Sequence, residues 1–385
     1  MGKETAVSLN TKIEAFQGLR AVALAGIIFY HYNNPGLSTY AAWSVSMFFM
    51  LSGYLNGISW SNGKHPPKDL KGSIFYMLRH IKKLYLLHII MTLLCIPVSG
   101  IPEQIRQSGL SGFVFWGLVF LMSVTLTKSL YPKYYWGFNG VSWFLSAYAV
   151  ISLLTPALLH KTAHMLENKR FKTALKAILA IWILQFSYCF LIGRTDWNIE
   201  YWIYIFPLSR LGEYMTAMIV GMFTQRVFCD AFSCEDDRLS AAEAGLSLPF
   251  GKISAILGII FGIMIAMLIF CVSIPEWLVR SVVWIIPNTV LLWSLHSSKG
   301  ILTRSLSLRP LVILGNDSAY MFLIHPVIYG YFAYFGLTGS GTASRIFVMV
   351  LNYFITFTLA EAFRRLTGRW NYNRIKKMEE KKDVI

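Results

Sequence analysis

The sequence is poor in charge. Only 14% of its 385 residues are Asp, Glu, Lys or Arg, against roughly 25% in a soluble protein, so a water-facing surface could not be covered. Acid is scarcer still: 19 Asp and Glu stand against 35 Lys and Arg, a formal net charge of +16. The five cysteines are too few and too scattered for a disulfide framework. Cys95, Cys189 and Cys271 lie inside apolar stretches and are expected to pack there. Cys229 and Cys234 share a polar loop without nearby His, so no metal site is expected. Internal repeats and low-complexity tracts are absent. The first apolar stretch contains Arg20, ends in His31 and has no small-residue cleavage site, which argues against a cleaved signal peptide. What the chain does have is apolar side chains, 55% of residues hydrophobic and 15% aromatic, in long blocks. A soluble domain, a disordered chain and a disulfide scaffold are all excluded. The expected fold is all-α: a polytopic transmembrane helical bundle.

The apolar blocks run approximately 15–33, 40–60, 80–98, 112–128, 141–159, 173–192, 201–224, 253–273, 277–296, 311–335 and 345–363. At about 20 residues per span, eleven segments are candidates, and loop charge decides how many cross. Lys64, Lys68, Lys71, Arg79, Lys82 and Lys83 face Asp69 alone in the 61–83 connection. Lys161, Lys169, Arg170 and Lys172 fill 160–172, Lys299, Arg304 and Arg309 the next basic loop, and the tail from Arg364 is basic too. Placing these in the cytoplasm, where positive loops reside, puts both termini inside. Three segments then lie between Lys83 and Lys161, where an even number of crossings is required. The 112–128 segment, short and bounded by Gly112, is read as re-entrant or interfacial on the outer side, which leaves ten spans. The 225–252 loop is acidic (Glu235, Asp236, Asp237) but is placed inside by its flanking spans. Residues 1–12 form a cytoplasmic segment, 13–365 the transmembrane domain and 366–385 a basic cytoplasmic tail. The positive excess itself fits positive-inside topology and anionic lipid headgroups, with a phosphate-rich ligand as the alternative use of the same face.

Ionisable side chains inside spans are costly and mark candidate sites. Arg20 and His31 are eleven residues apart on the first span, within about 20° of one face and roughly 16 Å apart along the axis. A guanidinium there can hold a phosphate or carboxylate, and a neutral imidazole can take a proton from a hydroxyl. A snorkelling Arg and an interfacial His are the structural alternative. Ser52 and Gly53 on the second span permit close helix approach. Arg210 and Glu213, at i and i+3, can satisfy each other, so bracing competes with catalysis. His325, before Pro326 in the tenth span, reaches a depth similar to that of His31. His65, His80, His160 and His164 sit among cytoplasmic basic residues, and His88 and His296 are placed near the inner interface; none of the six is assigned chemistry.

These residues resemble the acyltransferase 3 family, membrane O-acyltransferases, mostly bacterial, that decorate surface glycans. Gly18-Leu19-Arg20 with Ala23 and His31 is similar to the opening Arg-x-x-A…His signature of that family. Phe48 to Tyr54 is similar to its F-F-x-L-S-G-F, and Arg79 to Tyr85 to its basic R-R-x-x-R-x-x-P run. Ser142 to Ser146 looks like its W-S-L-S element, Arg210 and Glu213 match R-x-P-E-F, and Tyr320 to His325 matches S-Y-x-x-Y-L-x-H. Six motifs in family order cover about residues 13 to 365. Three positions depart. Gln17 stands where the family often has Asp, Ala147-Tyr148 replaces a frequent acid, and Tyr85-Leu86-Leu87 lacks the closing Pro. The first two remove carboxylates that could orient His31 and leave Glu213 as the remaining intramembrane acid.

The resemblance implies transfer of an acyl group, usually acetyl, from cytoplasmic acyl-CoA to a sugar hydroxyl at the outer face of the cell membrane. Arg20, Arg79, Lys82, Lys83 and Arg210 would hold the phosphates of the donor. His31, with His325 and Glu213, would carry the catalysis, His31 acting as general base or as covalent acyl carrier. Ser142, Trp143 and Ser146, with Tyr134, Tyr135 and Trp136, would line the acceptor site. No resident cofactor, metal or nucleic-acid partner is expected; acyl-CoA, a carbohydrate or glycolipid acceptor and the bilayer are. The rival reading is a transporter or flippase, for which inverted repeats and paired broken helices would be the signature; the sequence displays neither. The topology has a direct test: a reporter fused at Asn139 is expected to report the outside and one at Asn168 the inside. A cytoplasmic signal at Asn139 would remove the ten-span arrangement.

Overall fold

The computed structural model describes residues 2–32, 35–167, 171–233, 247–297, 300–339 and 341–382, with side chains defined outside 2–13, 35, 227–250 and 369–382. Asn33, Cys234 and the acidic loop residues Glu235, Asp236 and Asp237 lie outside the described residues, as does the side chain of Cys229. Every regular element among the described residues is helical. The long helices are α1 (Gly2–His31), α2 (Ser38–Ser61), α3 (Leu70–Cys95), α4 (Ile101–Val124), α5 (Trp143–Met165), α6 (Phe171–Ile192), α7 (Leu211–Ser233) and α8 (Ser247–Phe270). After the short α9 (Glu276–Val279) come α10 (Ile285–Ser297), α11 (Ile301–Leu306), α12 (Arg309–Tyr334) and α13 (Thr342–Lys382).

Among the described residues, seven stretches are long and apolar enough to cross a membrane: Leu70–Val98, Ile101–Val124, Gly140–Met165, Phe171–Ile192, Gly251–Phe270, Arg309–Tyr334 and Thr342–Gly368. Outside that set, α1, α2, α7 and α10 bury more than half of their described residues, as α5 does within it. Surrounded by protein instead of lipid, they can carry Ser, Asn, Arg and Glu at helical positions provided each finds a partner. α4, α6, α8 and α13 instead expose large apolar side chains such as Phe113, Leu184, Ile260 and Phe354, the pattern of helices facing acyl chains.

Close backbone approach holds the centre together. A Cβ on Gly53 or Gly57 of α2 would run into the carbonyls of Tyr214 or Met218 of α7, and one on Gly221 of α7 into that of Tyr54. The role expected of Gly53 is therefore the one observed. Between α1 and α12, Gly315 meets the Gln17 carbonyl. Polar side chains bridge the same helices. Tyr76 of α3 donates to Asn56 Oδ1 of α2 at 3.0 Å, and Asn56 donates to the Tyr214 hydroxyl of α7 at 2.6 Å. The Thr155 hydroxyl of α5 spends its hydrogen on Ile151 O, so Tyr214 donates to it, at 2.8 Å. Four helices are thus tied by one chain of hydrogen bonds, each donor matched to an acceptor.

Several boundaries differ from the sequence reading. α3 begins at Leu70 instead of near 80, its first turn capped by Asp69, which accepts from Gly72 N at 3.2 Å. Arg79, Lys82 and Lys83 therefore project from a helix, exposed, instead of lying in a loop, as long basic stems readily do. His88, 18 residues up α3, is buried and bonded to Ser123 O of α4. α4 starts eleven residues before the apolar run expected at 112, and its ladder breaks at Gly109 (φ 58°, ψ −134°). The stretch after that break spans about 22 Å, less than a hydrocarbon core of about 30 Å. α13 continues helically to Lys382, so the basic tail prolongs the last apolar helix.

The largest departure is the state of two segments read as continuous. Residues 201–224 open as a π-helical turn (Glu200–Ile205), become extended at Phe206, and restart through a 3-10 turn (Pro207–Arg210) before α7. Pro207 supplies no N–H to continue the ladder. Residues 277–296 likewise break after α9, at Ser281 (φ −155°, ψ −77°), before α10 begins. The chain thus contains two interrupted helices that its apolar pattern did not disclose.

Candidate active site

His31 closes α1, and His325 lies 294 positions away in the chain on α12. Packing of α1 against α12 brings their rings to a centroid distance of 5.0 Å. His31 Nδ1 lies 2.8 Å from Ile27 O, His325 Nδ1 3.3 Å from Met321 O, and His325 Nε2 3.3 Å from His31 Nδ1. Carbonyl oxygens only accept, so the partners assign the tautomers: in the neutral pair each Nδ1 carries the hydrogen. His325 Nε2 then offers its lone pair to the Nδ1–H of His31, and His31 Nε2 is left unprotonated. That arrangement suits a base. A proton taken up at Nε2 gives an imidazolium whose other N–H already faces a carbonyl and a second imidazole.

His31 lines a narrow cleft with Tyr30, Trp136, Trp143, Glu200, Tyr204 and Arg280. Irregular backbone at membrane depth is tolerated where it lines a cavity, and both interrupted helices deliver a charge here. Glu200 opens the π-helical turn, and Arg280 follows α9, where its Nη2 donates to Glu276 at 2.8 Å. The Tyr204 ring lies between two guanidinium groups, Arg280 at 5.0 Å and Arg210 at 4.6 Å, a doubled cation–π arrangement.

The residues singled out in the sequence divide sharply. Arg20 of α1 donates to Gln17 Oε1 at 3.0 Å and faces Tyr148 of α5. Two of the positions that depart from the family pattern, Gln17 and Tyr148, therefore offer Arg20 neutral oxygens in place of carboxylates. Arg79, Lys82 and Lys83 are exposed on α3. Arg210 and Glu213 are completely buried and bonded to each other at 3.0 Å, with Arg210 Nε donating to Tyr204 O at 2.8 Å. Glu213 makes no hydrogen bond to either imidazole among the described residues, because the guanidinium takes both its oxygens, at 3.0 and 3.2 Å. Trp143 lines the cleft, whereas Ser142 and Ser146 are buried and engaged. Ser142 Oγ donates to Asn139 O at 2.7 Å and accepts from Lys128; Ser146 Oγ donates to Leu126 O at 2.7 Å. Among the described residues no group of His, Cys, Asp and Glu could hold a metal ion.

Four residues escaped the sequence reading. Glu200 ends the 193–200 connection and Arg280 lies within the 277–296 apolar block, and only the helix breaks turn them into the cleft. Lys128 ends the 112–128 apolar run, yet it is fully buried. Asp317, inside the 311–335 block, is a second buried acid and pairs with Arg364 of α13 at 2.5 Å. Its spacing from apolar neighbours was the available signal.

A multi-helix bundle with paired imidazoles beside an aromatic cleft defines an integral membrane protein with a polar site inside the bundle. Residues 13–361 match the model of the acyltransferase 3 family, described as an acyltransferase domain, and the chain belongs to that family. No curated protein and no solved structure matches it. The chain is accordingly a multi-pass membrane protein of an acyltransferase family.

The buried ion pair yields a stability test. Glu213→Leu leaves Arg210 charged and uncompensated, a loss of about 3–5 kcal/mol for breaking such a pair. Arg210→Met with Glu213→Leu removes both charges and is expected to unfold closer to wild type. Thermal unfolding in detergent decides; a double variant no more stable than the single one would show that charge compensation is not what the pair provides.

Proposed function

We propose that the protein is an O-acyltransferase that moves an acyl group, in the first instance acetyl, from cytoplasmic acyl-CoA to a carbohydrate hydroxyl on the far side of the cell membrane. The observation that carries this reading is the His31–His325 pair beside an aromatic cleft, with a backbone carbonyl at each Nδ1. In the direct route, Nε2 takes the proton as the acceptor oxygen attacks the thioester carbonyl. The C–O bond forms, the C–S bond breaks, and the departing sulfur recovers the proton as free thiol. In the covalent route Nε2 itself attacks the thioester carbonyl: the C–N bond forms, the C–S bond breaks and the thiolate leaves. The acceptor hydroxyl then attacks the acyl-imidazole, the C–O bond forms as the C–N bond breaks, and the hydroxyl proton ends on the thiolate. Both routes require the tautomer that the partners of Nδ1 impose. His325 supports the positive charge that develops on His31 in either case.

Arg20 lies on the same helix as His31, about 16 Å nearer its start, and with Arg79, Lys82 and Lys83 supplies the cationic path for coenzyme A phosphates. Arg210 and Glu213 act as a brace behind Tyr204 instead of contacting donor or acceptor. Trp136, Trp143 and Tyr204 offer faces for a sugar ring, and Glu200 and Arg280 offer an acceptor and a donor for its hydroxyls. The reading keeps ten crossings with both termini cytoplasmic and the 112–128 segment, most of it the part of α4 after Gly109, as the one that does not cross. Transport remains the second reading because two interrupted helices meet at the cleft, the arrangement in which transporters hold substrates.

Acyl-CoA turnover by purified protein tests the assignment. His31→Ala is expected to reduce transfer by about 10²–10⁴-fold, the usual contribution of a general base, while expression and detergent stability hold. His325→Ala is expected to retain measurable activity. Retention of more than roughly a tenth of wild-type turnover by His31→Ala, far above that range, would move the assignment to His325. Under the transport reading, wild type moves substrate across vesicles with no acyl transfer. A separate outcome concerns the donor: Arg20→Lys is expected to raise the apparent KM for acyl-CoA, because a forked contact is replaced by a point charge. An unchanged KM in that variant would take Arg20 out of the donor path.

A further inference from the structure

Lys128 is a buried cation for which the acyl-transfer scheme has no use. Its ammonium donates to Gly137 O at 3.0 Å, Asn139 O at 3.1 Å and Ser142 Oγ at 2.9 Å. Three N–H donors meet three neutral oxygens, so the group is fully satisfied without a carboxylate. Lysine is almost never fully buried unless paired, and a mere filler of the space would be apolar.

All three acceptors lie between the aromatic turn that contains Trp136 and the start of α5. The connection is strained on both sides of the lysine. Leu126 (φ 55°) and Phe138 (φ 56°) are the non-glycine residues with left-handed backbone among the described residues, and both fall within ten positions of Lys128. Side chains of this kind persist in that region only where surrounding structure over-determines them. Lys128 supplies that constraint by drawing the carbonyls on either side of Phe138 to a single point.

Asn139 carries the effect onward. Its carbonyl is held by Lys128, and its side-chain amide donates to Leu323 O of α12 at 2.8 Å. Leu323 precedes His325 by two positions. Pro326 deprives the same turn of one N–H, and on the other side Asn352 of α13 donates to His325 O at 3.3 Å. The turn that bears His325 is therefore held from outside its own helix, by one amide on each side.

We propose that Lys128 is a positioning residue for His325: its ammonium fixes Asn139, and Asn139 fixes the turn of α12 that sets the His325 ring against His31. The proposal rests on the acyl-transfer reading for its kinetic consequence, though not for its geometry.

The test is a set of variants in the full-length purified protein. Lys128→Met, and independently Asn139→Leu, are expected to lower kcat by about tenfold to a hundredfold, the effect of displacing a catalytic group by roughly 1 Å. The apparent KM for acyl-CoA should stay within about twofold, since donor binding is untouched. The two losses should not multiply in the double variant, and neither should deepen the loss of His325→Ala, because residues acting through one another are non-additive. Multiplicative losses, or a normal kcat in either variant, would overturn the proposal. If Lys128→Met does not fold, the Asn139→Leu and His325→Ala cycle decides alone. Labelling of His31 by diethyl pyrocarbonate, read by mass spectrometry, separates this proposal from the function itself. Both variants should label His31 faster than wild type, and an unchanged rate overturns the positioning role even if wild type transfers no acyl group.

Discussion

Contact between the His31 and His325 rings depends on a single packing relation, that of α1 against α12. Their backbones approach closely where Gly315 meets the Gln17 carbonyl, and from that point the two helices run side by side to the imidazoles. A Cβ at Gly315 would push the helices apart at the end opposite the site, and two rings in contact at 3.3 Å have no slack to absorb it. Most of the remaining architecture either supports that relation, through α2 and α7 behind α1, or surrounds it with groups that lack a regular helical place.

Three buried or half-buried cations near this axis are accommodated in three different ways. Arg20 leans on a glutamine amide oxygen, Arg210 on Glu213 and two aromatic faces, and Lys128 on three oxygens of one turn. The chemistry of each solution sets what the group can do. A guanidinium held by one neutral partner keeps donors for a ligand. A guanidinium whose carboxylate takes most of its charge is a brace. An ammonium with every hydrogen committed can only hold the backbone around it.

Regularity is lost in the bundle where the cleft is formed. The π-helical turn at Glu200, the break at Ser281 and the strained turn around Phe138 all supply residues to its wall or lie beside it. Away from water, unpaired backbone groups are costly, so such interruptions persist only where side chains such as those of Gln185 and Ser209 take up the freed groups. Gln185 Nε2 donates to Ser209 O at 2.7 Å, and Ser209 Oγ donates to Ile203 O at 2.8 Å. The same breaks give an aromatic pocket a carboxylate and a guanidinium that continuous apolar helices could not present.

Composition and order of residues already determined the solvent of this protein, its helical class, its family and the two imidazoles. Each follows from properties that do not depend on distant partners: long apolar blocks need lipid, and a His or Arg within them is conspicuous by its cost. Spacing along one helix placed Arg20 and His31 together for the same reason. Apolar periodicity could not reveal the interruptions at 206 and 281, since a broken and an intact helix bury similar side chains. Nor could it decide whether Glu213 would serve His31 or Arg210, or that Ser142 and Ser146 would close on Lys128 and Leu126 instead of facing a ligand. In each case a partner near in the chain competes with one that is distant, such as Arg210 with His31 for Glu213, and only the packing of the helices decides whether the distant one comes within hydrogen-bond range.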